Sequence, residues 1–137
     1  ETELSMKKLK MPSIYVFLVF SLGASFIVSA HHAVQAQFAV DEFETLTGVM
    51  TKVELINPHP YFYLDVDEGN GQVVNWAIES VALNALRRAG LLKELAVDRE
   101  YTVEYNPARN GEPLGLMVAI TLPSGTRLLM RGQDPSR

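Results

Sequence analysis

The chain has 137 residues, a formal net charge of −4 at pH 7 and no cysteine. This length suffices for one domain with its own hydrophobic core. The lack of cysteine excludes a disulfide framework and a lipid-anchored cysteine, so the fold must be stabilised by packing. An acidic chain is a poor general ligand for nucleic acid, because that affinity depends on neutralising phosphates. We therefore predict no nucleic-acid partner.

The N-terminal part has the pattern of a cleavable export signal. A lysine-rich start precedes an uncharged, apolar run from Ile14 to Ala30 that ends in small residues. The alternative is a membrane-spanning anchor, which needs about 20 strongly apolar residues, whereas serines and a glycine interrupt this run. We predict an upstream extension at 1–5, a signal peptide at 6–30, export from the cytoplasm, and no stable membrane anchor after cleavage.

The cleavage position decides which histidines the exported protein keeps. Val28 and Ala30 satisfy the small-residue rule, which predicts cleavage after Ala30 and makes His31 the mature N-terminus. Cleavage after Ala36 also fits the residue pattern, and it would remove both His31 and His32 with the signal.

The rest of the chain predicts a β-rich domain at 44–131, with an arm at 31–43 before it and a tail at 132–137 after it. Residues 45–56 are rich in threonine, valine, leucine and isoleucine and predict a long first strand. The segment Asn57-Pro58-His59-Pro60 ends this strand, because two prolines cannot sit in a central strand. Later strands are predicted at 101–106, 114–122 and 126–130.

The second and third strands are predicted as a hairpin around Gly69-Asn70-Gly71. Apolar and polar residues alternate in both strands, and a one-residue slip would reverse the faces. The register that keeps one face apolar pairs Leu64 with Trp76, which places Trp76 in core packing. The same register sets Glu79 opposite Tyr61 and close to His59.

A short helix is predicted at 81–89, with Ser80 as its N-cap and Gly90 after its end. Three strands, a helix and then further strands follow the order of the OB-fold, a five-stranded Greek-key barrel. We predict an all-β, OB-like barrel of five to six strands; a flat α+β sheet is the competing architecture. Because the loop between the first two strands flanks the ligand face of an OB-fold, Asn57, Pro58, His59 and Pro60 form the predicted ligand-face loop.

Short motifs are distributed along the chain after the signal: His31-His32, Thr47 to Glu54, Asn57-Pro58-His59, Phe62 to Val66, Asn75-Trp76 and Asn84 to Gly90. Together they resemble a family of small exported bacterial proteins known only as a domain of unknown function. The chain departs from the family pattern at Ile56, where the family has an aromatic residue, and at Val97-Asp98, where it has a Pro-Gly turn. The resemblance implies that the protein is exported to a bacterial periplasm, and it implies no activity.

The three histidines are the main candidates for metal chemistry. If His31 is the mature N-terminus, its amine and imidazole can chelate one ion, and His32 and His59 can add ring nitrogens. Such a nitrogen set suits Cu(II) best, with Ni(II) and Zn(II) as the alternatives. Glu79 would orient the His59 ring from outside the ligand set. The alternative is that the terminal histidines are only solvated and that His59 only stabilises its loop.

Two functional hypotheses follow. The first is an exported binding module that recognises a protein or small ligand through the Asn57–Pro60 face. The second is a copper-type metal-binding protein that uses His31, His32 and His59. No serine, cysteine or lysine nucleophile stands in a recognisable motif, so enzymatic activity would arise only as redox chemistry at such a copper site.

Overall fold

The fold is taken from a computed structural model that describes residues 34–131. The predicted signal peptide, His31, His32 and the C-terminal tail lie outside these residues. The elements in chain order are β1 (Glu44–Glu54), β2 (Tyr61–Asp67), β3 (Val73–Glu79), helix α1 (Leu83–Arg88), a 3₁₀ turn (Leu91–Lys93), β4 (Glu100–Pro107), β5 (Leu114–Thr121) and β6 (Arg127–Leu129).

Five strands close into a barrel, to which β6 adds a short extra strand. The strands follow the order β3-β2-β1-β4-β5-β6, with an additional pairing between β3 and β5. That additional pairing is parallel and joins Ala77 to Leu114 and Glu79 to Leu116, whereas the other pairings are antiparallel. The predicted OB-like, all-β barrel with one short helix between the third and fourth strands is confirmed.

Strand β1 is long enough to pair with two partners in turn. Its first half pairs with β4 and its second half with β2, and Val49 stands at the change of partner. A bulge lies between Met50 and Lys52, and bulges bend a strand and increase its twist. Gly48 permits close approach of the neighbouring strand, because a Cβ atom there would lie 2.7 Å from the Asp65 carbonyl oxygen.

The hairpin of β2 and β3 has the predicted register. Phe62 pairs with Ile78, Leu64 with Trp76 and Tyr61 with Glu79. The Glu68 N–H donates to the Gln72 carbonyl oxygen at 2.9 Å and closes the glycine-rich turn. The inward side chains of the hairpin join one hydrophobic core with β1, β4, β5 and α1.

The start of the predicted helix is corrected by the structure. The helix begins at Leu83 rather than at residue 81, and its N-cap is Ala82, not Ser80. Ser80 instead lies directly after β3: its N–H donates to the Pro60 carbonyl oxygen at 2.8 Å, and its buried hydroxyl contacts the sulfur of Met117 at 3.7 Å. Within residues 34–131, no helix combines the length and apolar character needed to cross a membrane.

Residues 34–43, which belong to the predicted arm, contact one end of the barrel. Residues 34–37 are helical, and Phe38 forms a bridge with Ala108. The Phe38 side chain is 1% exposed and forms a second small hydrophobic cluster with Ala108 and Leu116. The Asn106 side-chain amide donates to the Glu42 carbonyl oxygen at 2.7 Å. This part of the arm is therefore tied to β4 and to the loop after it.

Candidate ligand-binding site

The loop between β1 and β2 is anchored at its second proline. Pro60 is buried, and its carbonyl oxygen accepts the Ser80 N–H at 2.8 Å. The peptide bond between Asn57 and Pro58 is cis. His59 lies between the two prolines, so its backbone is held against the end of β3 by the residue that follows it.

The His59 ring is hydrogen-bonded to Glu79. Its Nδ1 lies 2.6 Å from Oε1 of Glu79, and the two side chains are 39% and 11% exposed. A carboxylate oxygen accepts, so the ring donates from Nδ1 to Glu79. Nε2 has no hydrogen-bond partner among residues 34–131. The arrangement fixes the ring through one nitrogen and leaves the other available to a ligand.

The other oxygen of Glu79 is occupied by Tyr61. The Tyr61 hydroxyl donates to Oε2 at 2.8 Å, from the residue directly opposite Glu79 in the hairpin. A carboxylate as buried as Glu79 would be costly without such partners. Burial, the hydrogen bond to Glu79 and its negative charge together raise the pKa of Tyr61 to about 12, so Tyr61 remains a donor at neutral pH.

A second tyrosine–carboxylate pair lies beside the first. The Tyr63 hydroxyl donates to Glu54 at 2.9 Å, and Lys52 donates to the other Glu54 oxygen at 2.7 Å. The hydrogen bond to Glu54 is the main cause that raises the pKa of Tyr63. The rings of Tyr61 and Tyr63 lie 6.5 Å apart. The side chains of Tyr63, Glu54 and Lys52 are therefore hydrogen-bonded to one another. Nε2 of His59, in contrast, remains available to a ligand.

Two exposed apolar side chains precede the histidine in the loop. Leu55 and Ile56 are 51% and 48% exposed. The loop therefore carries an imidazole nitrogen, which can accept a hydrogen bond when Nδ1 holds the ring proton, and exposed apolar side chains, which can bury apolar atoms of a ligand. In the described part of the chain, no three His, Asp or Glu side chains are grouped closely enough to hold a metal ion.

The structure brings some of the predicted site residues together. Asn57, Pro58, His59 and Pro60 form the β1–β2 loop, and Glu79 contacts His59. His31 and His32 lie outside the described residues. The role of Tyr61 as a second partner of Glu79 was not predicted, although the strand register already set the two residues opposite each other.

The fold and the site define a small OB-like barrel that carries a histidine–carboxylate pair beside its β1–β2 loop. The chain belongs to a family of unknown function (DUF6152), whose model matches residues 19–118. The resemblance predicted from the motifs, to a family known as a domain of unknown function, is thereby confirmed. A comparison with curated proteins gives no match.

Proposed function

We propose that the protein is an exported, periplasmic binding module that recognises a protein or small ligand through the face around the Asn57–Pro60 loop. The observation that carries the proposal is the hydrogen bond between His59 and Glu79. It orients a part-exposed ring by a buried carboxylate, at a loop that flanks the ligand face in OB-folds. Orientation before binding lowers the entropy cost of association.

The surroundings of His59 support the same proposal. Leu55 and Ile56 expose apolar surface in a loop whose C-terminal end is fixed by buried Pro60. Burial of exposed apolar surface by a ligand is favourable because water is released, and a polar nitrogen in the same loop gives the contact a preferred direction. The neighbouring carboxylates of Glu79 and Glu54 each accept a hydrogen bond from a tyrosine, whereas Nε2 of His59 and the exposed side chain of Asn57 offer polar contacts to a ligand.

Site-specific photocrosslinking in living cells tests this proposal. A photoreactive amino acid replaces Ile56 in the full chain, and a matched sample carries it at Val97, which is similarly exposed at 50% but lies before β4. We expect a defined adduct on the exported protein from position 56 and not from position 97. Equal adducts at both positions, or none at position 56, would contradict a ligand face at this loop.

Copper binding is the second candidate function, and the same hydrogen bond favours it. Metal-bound histidines commonly donate their other ring nitrogen to a carboxylate, which fixes the tautomer and the ring orientation. Glu79 does this for Nδ1 of His59 and leaves Nε2 for a metal. His31 and His32 would have to complete the site, with an N-terminal amine if cleavage follows Ala30.

Cu(II) titration of the protein purified from the periplasm tests the copper candidate. One tight equivalent, weakened strongly by His59→Ala, is the expected result if the arm and the loop share a metal ion. Binding unchanged by His59→Ala would reduce the site to a terminal chelate. The absence of a tight equivalent in the unsubstituted protein would end the copper candidate.

A further inference from the structure

A cleft of about 400 Å³ lies at the end of the barrel where residues 34–43, the N-terminal segment, meet the β4–β5 loop. Its volume is within the range of small-molecule sites, about 300–1,000 Å³. Trp76 of β3 and Glu44 of β1 line it, together with Ala39, Pro107 and Ala108. Trp76 projects from the face of β3 opposite to that of Glu79, because alternate residues of a strand face opposite sides. The cleft is therefore a site separate from the His59 loop.

The aromatic wall of the cleft is held from two sides. The Trp76 and Tyr105 rings pack in a T-shaped arrangement, with ring centroids 5.3 Å apart and an angle of 61° between the ring planes. The Trp76 indole N–H donates to Glu68 at 3.2 Å. Tyr105 is buried, at 3% exposed, so it provides a fixed surface for the indole. A tryptophan restrained in this way presents its ring without a further cost of ordering.

The principal carboxylate of the cleft is also fixed. The Tyr105 hydroxyl donates to Glu44 at 2.8 Å, and Glu44 is paired with Tyr105 in the sheet. One buried tyrosine thus positions both the indole of Trp76 and the carboxylate of Glu44. The pKa of Tyr105 is raised by burial first and then by its bond to Glu44, so its hydroxyl keeps this proton at neutral pH.

Negative charge predominates along the rim. Glu42 and Glu112 line the cleft besides Glu44, against a single lining cation, Arg109. Arg109 is turned to other partners: its Nε donates to the Gln35 carbonyl oxygen at 2.8 Å, and its guanidinium lies 4.0 Å from Asp41. The field in the cleft therefore repels anions and favours cations.

We propose that this cleft binds a small organic cation, an alkylammonium group seated on the Trp76 ring and paired with Glu44. Tryptophan is the side chain that attracts cations most strongly through its ring face. A bare metal ion fits less well, since the carboxylates here do not form a group of three that could hold a metal among the described residues. An extended organic cation can contact separated carboxylates and the aromatic wall together.

Trp76 is the single tryptophan of the chain, so its fluorescence reports directly on the cleft. The exported protein is titrated with tetramethylammonium chloride at constant ionic strength. Sodium chloride, calcium chloride and the neutral tert-butyl alcohol serve as parallel titrants. We expect a saturable change in fluorescence with tetramethylammonium alone. An equal response to calcium, to sodium or to the alcohol would overturn the proposal, as would a response that does not saturate.

Substitution of the carboxylate distinguishes the cleft from general charge effects. Glu44→Gln keeps an oxygen for the Tyr105 hydroxyl and is expected to weaken tetramethylammonium binding roughly tenfold. Glu100→Gln removes the same charge from an exposed position on β4 and should leave the affinity unchanged. Equal losses in both variants, or no loss with Glu44→Gln, would contradict the assignment of the site. Circular dichroism confirms that both variants retain the fold.

Discussion

Glu79 accepts a hydrogen bond from Nδ1 of His59 at 2.6 Å, across 20 residues of chain. The hairpin register brings the two residues together, because it sets Glu79 opposite Tyr61, two residues after His59. Both oxygens of the carboxylate are used, one by His59 and one by Tyr61. The pair couples the fold to the proposed function: the sheet positions the carboxylate, and the carboxylate positions the imidazole.

Replacing Glu79 by glutamine should lower the free energy of unfolding by about 1–3 kcal/mol, because hydrogen bonds to a buried charged group are lost or weakened. Urea denaturation measures the change. Glu100→Gln, on an exposed part of β4, is the control and should change stability by less than about 0.5 kcal/mol. Equal stability of the two variants would show that the Glu79 bonds contribute little.

Tyr61 gives the stability a dependence on alkaline pH. Its pKa is about 12 in the folded protein against a reference value of 10.0. A raised folded pKa means that the folded state holds the proton more strongly, so this contribution is complete below about pH 10 and is lost as the pH rises towards 12. Urea midpoints measured from pH 9 to 12 should fall less steeply for Tyr61→Phe than for the unsubstituted protein. Parallel curves would contradict the assignment.

Phe38 should anchor the N-terminal segment to the barrel. Phe38→Ala removes a side chain that is 1% exposed, and loss of a buried phenylalanine costs about 3–5 kcal/mol. Phe43→Ala is the matched control, because Phe43 is 47% exposed in the same segment. We expect a lower urea midpoint and faster proteolysis within residues 34–43 for Phe38→Ala alone. Similar behaviour of the two variants would show that the segment is not fixed through Phe38.

The predicted cleavage site is tested by the intact mass of the protein recovered from the periplasm. We expect the mass of a chain that begins at His31, since Val28 and Ala30 satisfy the small-residue rule of signal cleavage. The mass of a chain that begins at Gln37 would mean that His31 and His32 are lost with the signal. The copper candidate would then retain His59 as the sole histidine, and a single imidazole does not make a tight site.

The register of the hairpin was predictable because alternation in Tyr61–Asp67 and Val73–Glu79 allows one pairing with a continuous apolar face. The contact between Glu79 and His59 followed from that register. The predicted helix start was wrong because Ser80 fits the residue preferences of an N-cap but is buried directly after β3. Local preference was overridden by tertiary packing.

The contacts of Phe38 and Glu44 with the end of β4 and the residue after it could not be predicted from the sequence. Phe38 packs against Ala108. Glu44 accepts a hydrogen bond from Tyr105, which lies 61 residues further along the chain. Such contacts depend on how β1 and β4 align and on how the barrel closes, which residue periodicity does not specify. Trp76 was correctly expected to pack with the core, and it does so partly. Its position at the edge of a cleft depends on its contacts with Tyr105 and Glu68. The alternation of residues within β3 does not predict these contacts.

The ligand face at the Asn57–Pro60 loop is tested most directly by crosslinking from position 56 in three proteins. These are the unsubstituted protein, the His59→Gln variant, and the variant that combines His31→Ala with His32→Ala. We expect the adduct to be lost with His59→Gln, because the oriented ring at the loop is removed. We expect it to persist when His31 and His32 are replaced, since the loop face does not need the terminal histidines. An adduct that survives His59→Gln but disappears with the terminal substitutions would contradict a ligand face centred on His59.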